Sequence, residues 1–503
     1  MIEQFGWLLR AEWTKFRTVR GWVVGVAAAA IFMVLFGLLG AAGRQGSVAP
    51  PDAPADAANR AAPVGPSGVS FNDHFYFVHK ELDRDGSITA RVTSLTGTRI
   101  SPESGAESPA PAQPWAKAGL IIKDGTAPGS AYAAVMVTGG HGVRMQHNYT
   151  GDVAGPTGAV SAASPRWLRL TRAGDTITGY ASTDGAAWTQ VGAVKLDGLA
   201  NTVHVGLFAT SPFEEQFEQF LGGIGSGGTP TASTATFDRV TVQGTDGAWQ
   251  GIEVGADPTR PLASEFRASG ETFTISGSGD IAPAIAPERT IERTLAGVFA
   301  TLIAVAVIAV LFVSTEYRRG LIRTSLSASP RRGRVLAAKA IVVAGVTFVA
   351  GLVAAAVTLP LTRSLLRDNG VALAHVSMKT EVRIVVGTAA LIAVVAVLAL
   401  ALGTILRRSV GAVAAVIVLT VLPYLLTMAG VLPVEAARWV LRLTPAAAFA
   451  VQQSIPAYPQ VDQAYWPSFG FYPLAPWAGF AVLCAWTAVA LGLAGHLLRR
   501  RDV

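Results

Sequence analysis

The sequence has one cysteine, Cys484, in 503 residues, so no internal disulfide is available and each folded part must be held by its own core. Charge is sparse as well: Asp, Glu, Lys and Arg make up 15% of the chain, against about 25% in ordinary soluble domains. It is absent altogether from six long runs, 21–43, 294–315, 340–362, 384–406, 409–431 and 476–498. No segment has the Gly-rich spacing ending in Lys-Ser/Thr that cradles phosphates; the glycine-rich stretch 222–228 lacks that ending and reads as a flexible loop. Paired acids for glycoside chemistry are missing too. Glu81 and Asp83 begin an alternating pattern, but Gly86 stands where the closing carboxylate belongs. His141 and His147 have no second His or Cys cluster to complete a metal site. The sequence therefore offers no catalytic, cofactor-binding or metal-binding set.

Apolar residues are abundant, at 51%, with a mean hydropathy of +0.42. A hydrocarbon layer of about 30 Å needs roughly 20 apolar residues in a helix, and each of the six runs meets that length. The first run is too long for the core of a signal peptide and is read as an uncleaved helix. Orientation follows from Lys and Arg in the short flanks. Arg10, Lys15, Arg17 and Arg20 precede the first run, a dense set from Arg318 to Lys339 separates the second from the third, Arg407 and Arg408 separate the fourth from the fifth, and Arg499, Arg500 and Arg501 follow the sixth. With these on the cytoplasmic side, both termini are cytoplasmic and residues 44–292 are extracellular. The net charge of +7 is thus spent on membrane orientation, which argues against nucleic acid as a partner. Before the first run, Phe5, Leu8, Leu9, Trp13 and Phe16 recur at helical spacing, predicting an interfacial amphipathic helix over 1–20. Periodicity alone leaves open a partner contact or a lipid-surface anchor.

Residues 68–245 alternate apolar and polar positions in short β-rich runs, with Asp184-Gly185 as a hairpin turn. An antiparallel sandwich follows, joined to the membrane by a Pro/Ala/Gly-rich linker over 44–67 and by a return segment, 246–292, expected to add a strand and pack on it. The fold class is therefore an α-helical polytopic membrane protein with an inserted all-β extracellular jelly-roll or concanavalin-like sandwich. The uncharged spans supply no ion-exchanging group except His496 near one end, so any transport must draw its energy from a partner. The best place to meet one is the cytoplasmic loop 316–339, with Glu316, Tyr317, Arg318, Arg319 and Arg323 near the end of the second span, and Arg331 and Arg332 in an expected turn.

Two resemblances add to this reading. Ile88-Thr89-Ala90-Arg91-Val92, Trp115 to Ile122, Trp167 to Arg172, Ser182-Thr183-Asp184-Gly185 with Trp188, and Phe237-Asp238-Arg239-Val240 resemble the concanavalin A-like, laminin-G-like sandwich family, which implies a glycan, cell-wall or peptide ligand. Arg10-Ala11-Glu12-Trp13-Thr14-Lys15-Phe16-Arg17-Thr18-Val19-Arg20, Glu316-Tyr317-Arg318-Arg319-Gly320-Leu321-Ile322-Arg323-Thr324 and Ser329 to Lys339 resemble actinobacterial permeases of the ATP-binding cassette exporter family, type 2. That resemblance implies a plasma-membrane dimer or pair of permease subunits. Each docks on a separate ATPase subunit that binds the ATP and Mg, with Glu12, Lys15, Arg17, Arg20 and the loop residues named above as coupling contacts. Within the extracellular or re-entrant segment 432–475, it also implies that Arg438 to Gln453 dips back into the bilayer with Pro445 as a break, a surface helix being the alternative. The competing reading is a membrane-anchored glycan or peptide sensor that transports nothing.

Overall fold

The computed structural model describes residues 2–44, 64–101, 103–220, 223–255, 264–284, 290–318, 332–371, 373–374, 376–461 and 466–500. Arg319, Arg323, Arg331 and most of the 44–67 linker lie outside them. Helices α1 (Ile2–Thr18) and α2 (Arg20–Ala42) lead into the β domain; α3 (Val298–Arg318), α4 (Arg332–Asp368), α5 (Met378–Leu406), α6 (Ser409–Thr420), α7 (Leu422–Met428), α8 (Val434–Leu443) and α9 (Pro476–Arg500) follow it. The structure is a β-rich domain on a bundle of apolar helices, the fold of a polytopic membrane protein carrying a sandwich.

Three expectations need correction. The run 409–431 is not one straight helix: α6 and α7 meet at Val421 with a bend of 41°. Pro423 in the first turn of α7 lacks the amide hydrogen that would continue the ladder, and its ring crowds the preceding turn. The second half of the 316–339 loop is helical from Arg332, so Arg332 and Gly333 form the first turn of α4 rather than a turn between elements. The glycine-rich stretch is a strand where it is described. Gly223–Thr229 pairs antiparallel with Glu214–Phe220, from Phe220 opposite Gly223 to Glu214 opposite Thr229; pairing satisfies backbone groups that the bare sequence leaves unassigned.

In the β domain, one sheet has seven strands, running Gln250–Val254, Phe75–Asp83, Thr202–Thr210, Lys117–Lys123, Tyr132–Thr138, Val143–His147 and Gly151–Ala154 from edge to edge. The facing sheet runs from Thr189–Lys195 through Thr176–Ser182, Arg166–Ala173, Gly86–Ile100 and Thr231–Gln243 to Thr272–Ser278 and Glu265–Ser269. The period of two decides the core. Ile88, Ala90 and Val92 point inward with Leu168 and Leu170, which lie opposite Ala90 and Ile88 in register, while Thr89 and Arg91 point out. Gly185, at φ +77°, turns the hairpin between Thr176–Ser182 and Thr189–Lys195. Strand Lys117–Lys123 is buried on both faces, because a second cluster of Phe75, Phe77, Tyr132, Tyr149 and Phe208 covers its outer side. The return segment contributes Gln250–Val254 to the edge of the first sheet, two strands to the second, and Ile281–Pro283, paired with Phe71–Asp73.

The helices alternate in direction, so that the bundle has two distinct ends. At one end α1, the close of α3, the opening of α4 and the close of α9 converge: Arg332 Nη1 donates to Leu498 O at 2.6 Å, and the Arg407 guanidinium lies 5.1 Å from the Tyr317 ring. At the other end the sandwich docks. Gln219 Nε2 donates to Gly430 O at 2.7 Å and Leu432 O at 2.5 Å, and Gln460 Nε2 donates to Tyr149 O at 3.0 Å. Within 432–475, α8 is followed by a 3-10 turn, Pro445–Gln452, buried along its whole length against α5 and α9. A methyl at Gly479 of α9 would stand 2.2 Å from Ala447 O, so that glycine sets the close approach.

Candidate coupling site

The end of the bundle opposite the sandwich carries a buried charge cluster assembled from three elements. Lys339, in the third turn of α4, is 3% exposed. Its Nζ lies 2.8 Å from Glu12 Oε2 of α1 and 2.7 Å from Glu316 Oε1 of α3, with the ammonium 4.8 Å from the centre of the Phe312 ring. Lys15, whose side chain is 42% exposed, reaches Glu12 Oε1 at 2.9 Å and Glu316 Oε1 at 3.4 Å. Two carboxylates and two ammoniums thus neutralise one another at the base of the bundle. Burial works to lower the Lys15 ammonium, but its hydrogen bond and charge attraction to Glu12, with Glu316 adding, outweigh that and hold it above its ordinary value.

Local sequence explains how α1 reaches this position. Glu12 and Phe16 are four residues apart and share one helical face; both are buried, with the Phe16 ring edge-on to Phe312 at 5.6 Å. The apolar stripe read from the sequence runs through Trp13 and Phe16, but burial does not follow it. Trp13 is 47% exposed and Glu12 is 2% exposed, because Lys339 and Lys15 make burial of that carboxylate tolerable. The remaining sequence-selected residues separate by environment. Arg17 and Arg20 are exposed beside the cluster, Tyr317 is half-buried under Arg407, and Arg332 ties α4 to α9. Arg318 closes α3, and nothing is described of its side chain. Lys339 was missed as a site residue although it is the hub. A lysine just ahead of an apolar run reads as a topology signal, and its partner Glu12 is 327 positions away.

A second buried acid lies at the sandwich end. Glu292, in the 3-10 turn Ile291–Leu295, is 9% exposed. Burial pushes this carboxyl up to about 7, against the opposing influence of Ser454 and Arg293. Arg293 is held by Ser468 O at 2.6 Å, and Arg44 donates to Arg293 O at 3.4 Å. These contacts knit the ends of α2 and α3 to the 466–470 segment.

Among solved structures, the chain is similar to SCP-B, a member of the Eqolisin family of peptidases in complex with a tripeptide, at 9% identity over 41% of this chain and 98% of that one, with a TM-score of 0.24. It aligns also with a functionally unknown protein from Saccharomyces cerevisiae, at 14% identity over 34% and 76% with a TM-score of 0.19, and with the GH43 protein BlXynB from Bacillus licheniformis, at 16% over 32% and 28% with a TM-score of 0.20. Scores this low carry no argument about activity. No curated protein matches the chain. The family of ABC-2 family transporter proteins matches residues 173–503, from within the sandwich to the last residue and across the helices that form the charge cluster with α1. The chain belongs to that family and is a multi-pass membrane permease of an ATP-binding cassette transporter.

Proposed function

We propose that the protein is the permease of an exporter driven by a separate ATPase subunit, which docks on the end of the bundle that carries α1, Arg17, Arg20 and the start of α4. That end is cytoplasmic and the sandwich extracellular, in a homodimer or a pair of permease subunits. The observation that carries this reading is the charge cluster: Lys339 bonds to α1 and α3 together, so a push on the surface helix reaches two spans without slack. Glu12, Lys15 and Glu316 act as the fastening of the coupling helix rather than as its docking surface; the exposed Arg17 and Arg20 belong to the docking surface. The exposed apolar residues of α2 and α4, among them Ile31, Leu39, Val349 and Val353, suit lipid or a second permease.

The two-sheet domain is of the concanavalin-like, laminin-G-like kind and serves as an outer cap or receptor for a glycan, cell-wall or peptide ligand. Purification of the full chain from its native membrane tests the reading: an ATPase subunit recovered in stoichiometric amount, with ATP hydrolysis, is the expected result. Recovery of the chain without ATPase, together with ligand binding by the sandwich, supports the sensor reading instead and overturns export.

A further inference from the structure

The outer face of the second sheet carries a groove of about 860 Å3 across strands Arg166–Ala173, Gly86–Ile100 and Thr231–Gln243. Strand register lays out its floor in two polar rows. Arg169 lies opposite Thr89, and Thr89 opposite Thr241; two positions along, Thr171 lies opposite Ser87, and Ser87 opposite Gln243. Adjacent strands stand about 4.8 Å apart and same-face neighbours about 6.8 Å apart along a strand, so these side chains form a grid of hydroxyls, one amide and one guanidinium. Ser87 Oγ donates to Gln243 Oε1 at 3.2 Å, which leaves the amide nitrogen as a donor.

Two arginines of the groove are held by tryptophans rather than by acids. The Arg169 guanidinium lies 4.0 Å from the centre of the Trp188 ring, and its Nε donates to Thr89 Oγ1 at 3.1 Å. The Arg239 guanidinium lies 5.9 Å from the centre of the Trp167 ring, on which Gly185 also packs, since a methyl there would stand 2.7 Å from Cε2. Arg239 reaches this place through a bulge. Pairing with Gly86–Ile100 slips between Asp238 and Thr241, and Arg239 takes a left-handed φ of +50°. Bulges re-aim side chains, and a residue other than glycine bears strain in that conformation. Among the described residues neither guanidinium has a carboxylate partner. Asp238 is taken by Arg91 at 2.7 Å, and Glu271, exposed at the rim, is the one acid among the lining residues. Gln219, Tyr149 and Thr150, which bond the sandwich to the bundle, lie outside the groove.

We propose that this groove binds an acidic glycan, whose carboxylate or phosphodiester groups are taken by Arg169 and Arg239 and whose hydroxyls meet the two polar rows. A guanidinium stays charged and presents a planar fork that fits either acid group. Hydroxyls and an amide supply the mixed donors and acceptors that sugar hydroxyls need. A neutral glycan would leave two positive charges unanswered. On the receptor reading of the sandwich, which this site presupposes, the ligand is thus an acidic glycan seated on the outer face of the second sheet.

Titration calorimetry on the full chain in zwitterionic-lipid nanodiscs tests it. Tetragalacturonate is the carboxylate probe, its methyl ester the neutral control, a phosphodiester-linked glucose oligomer the phosphate probe, and inorganic polyphosphate the anion without sugar. Saturable binding of at least one acidic oligomer is expected, tighter than that of the ester or of polyphosphate by about tenfold or more. Arg169→Gln weakens it about tenfold, the loss of one charge-assisted contact. Arg239→Gly weakens it similarly yet melts no lower than the wild type, because glycine accepts the left-handed φ without strain; loss of the ligand contact is thereby separated from loss of the fold. Glu271→Gln strengthens binding at low salt. An acidic oligomer that binds both arginine variants as tightly as the wild type overturns this site and leaves the receptor reading standing. Absence of binding by both acidic oligomers, or binding of the ester or polyphosphate as tight as theirs, overturns the acidic-glycan assignment.

Discussion

Replacing Lys339 by methionine frees the amphipathic helix from the bundle and destabilises that end of the protein by about 3–5 kcal/mol, the usual consequence of removing one partner from a buried ion pair. Lys339 is 2.8 Å from Glu12 and 2.7 Å from Glu316. Without it, two carboxylates are left in apolar surroundings beside Phe16 and Phe312, with the half-exposed Lys15 alone among the described residues to compensate them. They must then take up protons or draw in water, and either outcome loosens the contact of α1 with α3 and α4. The triple change Glu12→Gln, Glu316→Gln, Lys339→Met removes the stranded charges and recovers most of the stability, while still lacking the ionic fastening. Thermal unfolding in nanodiscs reads the first effect and hydrogen exchange over residues 5–18 reads the second. Lys339→Met with wild-type melting and wild-type protection of α1 contradicts this account of the cluster.

Glu292→Gln has the opposite sign and shows itself through pH. A carboxyl held up to about 7 in the folded protein titrates near 4.3 when unfolded. Between those values the folded chain binds more protons than the unfolded one, so stability falls as pH rises through the window and the loss is complete above the folded value. The difference corresponds to about 4 kcal/mol. The glutamine variant carries no such titration. It is therefore as stable as the wild type at low pH and more stable by up to about that amount at pH 8. Melting temperatures followed from low pH to pH 8 check this; parallel curves for the two proteins show that Glu292 is not held neutral in the fold.

The charge cluster and Glu292 also show how far the sequence could be read. Uncharged runs of hydrocarbon length mark the helices, and the alternation of Ile88, Ala90 and Val92 with Thr89 and Arg91 marks a half-buried strand, because both signals are periodic and local. Glu12, Lys15 and Glu316 drew attention through the residues around them. Their convergence on Lys339 did not, since it depends on the packing of α1 against α3 and α4 rather than on spacing along the chain. Glu292 carries no motif and lies just ahead of an apolar run; only the packing around Ser454 and Gly470 removes it from water. The bend at Val421 was legible in Pro423, a residue that belongs in the first turn of a helix more readily than in the middle of one. The seam between the two parts was not legible, because Gln460 reaches Tyr149 O only once the sandwich has docked on the bundle.

The central claim is that the charge cluster carries movement from the α1 end of the bundle to the sandwich end. Spin labels at Leu39 and Val431, both exposed near the sandwich end, in a Cys484→Ser background, report on it directly in the permease–ATPase complex. The account predicts that ATP with vanadate changes the label separation in the wild type and leaves it unchanged in the Glu12→Gln, Glu316→Gln, Lys339→Met protein, which still hydrolyses ATP. The same change of separation in both proteins contradicts the claim.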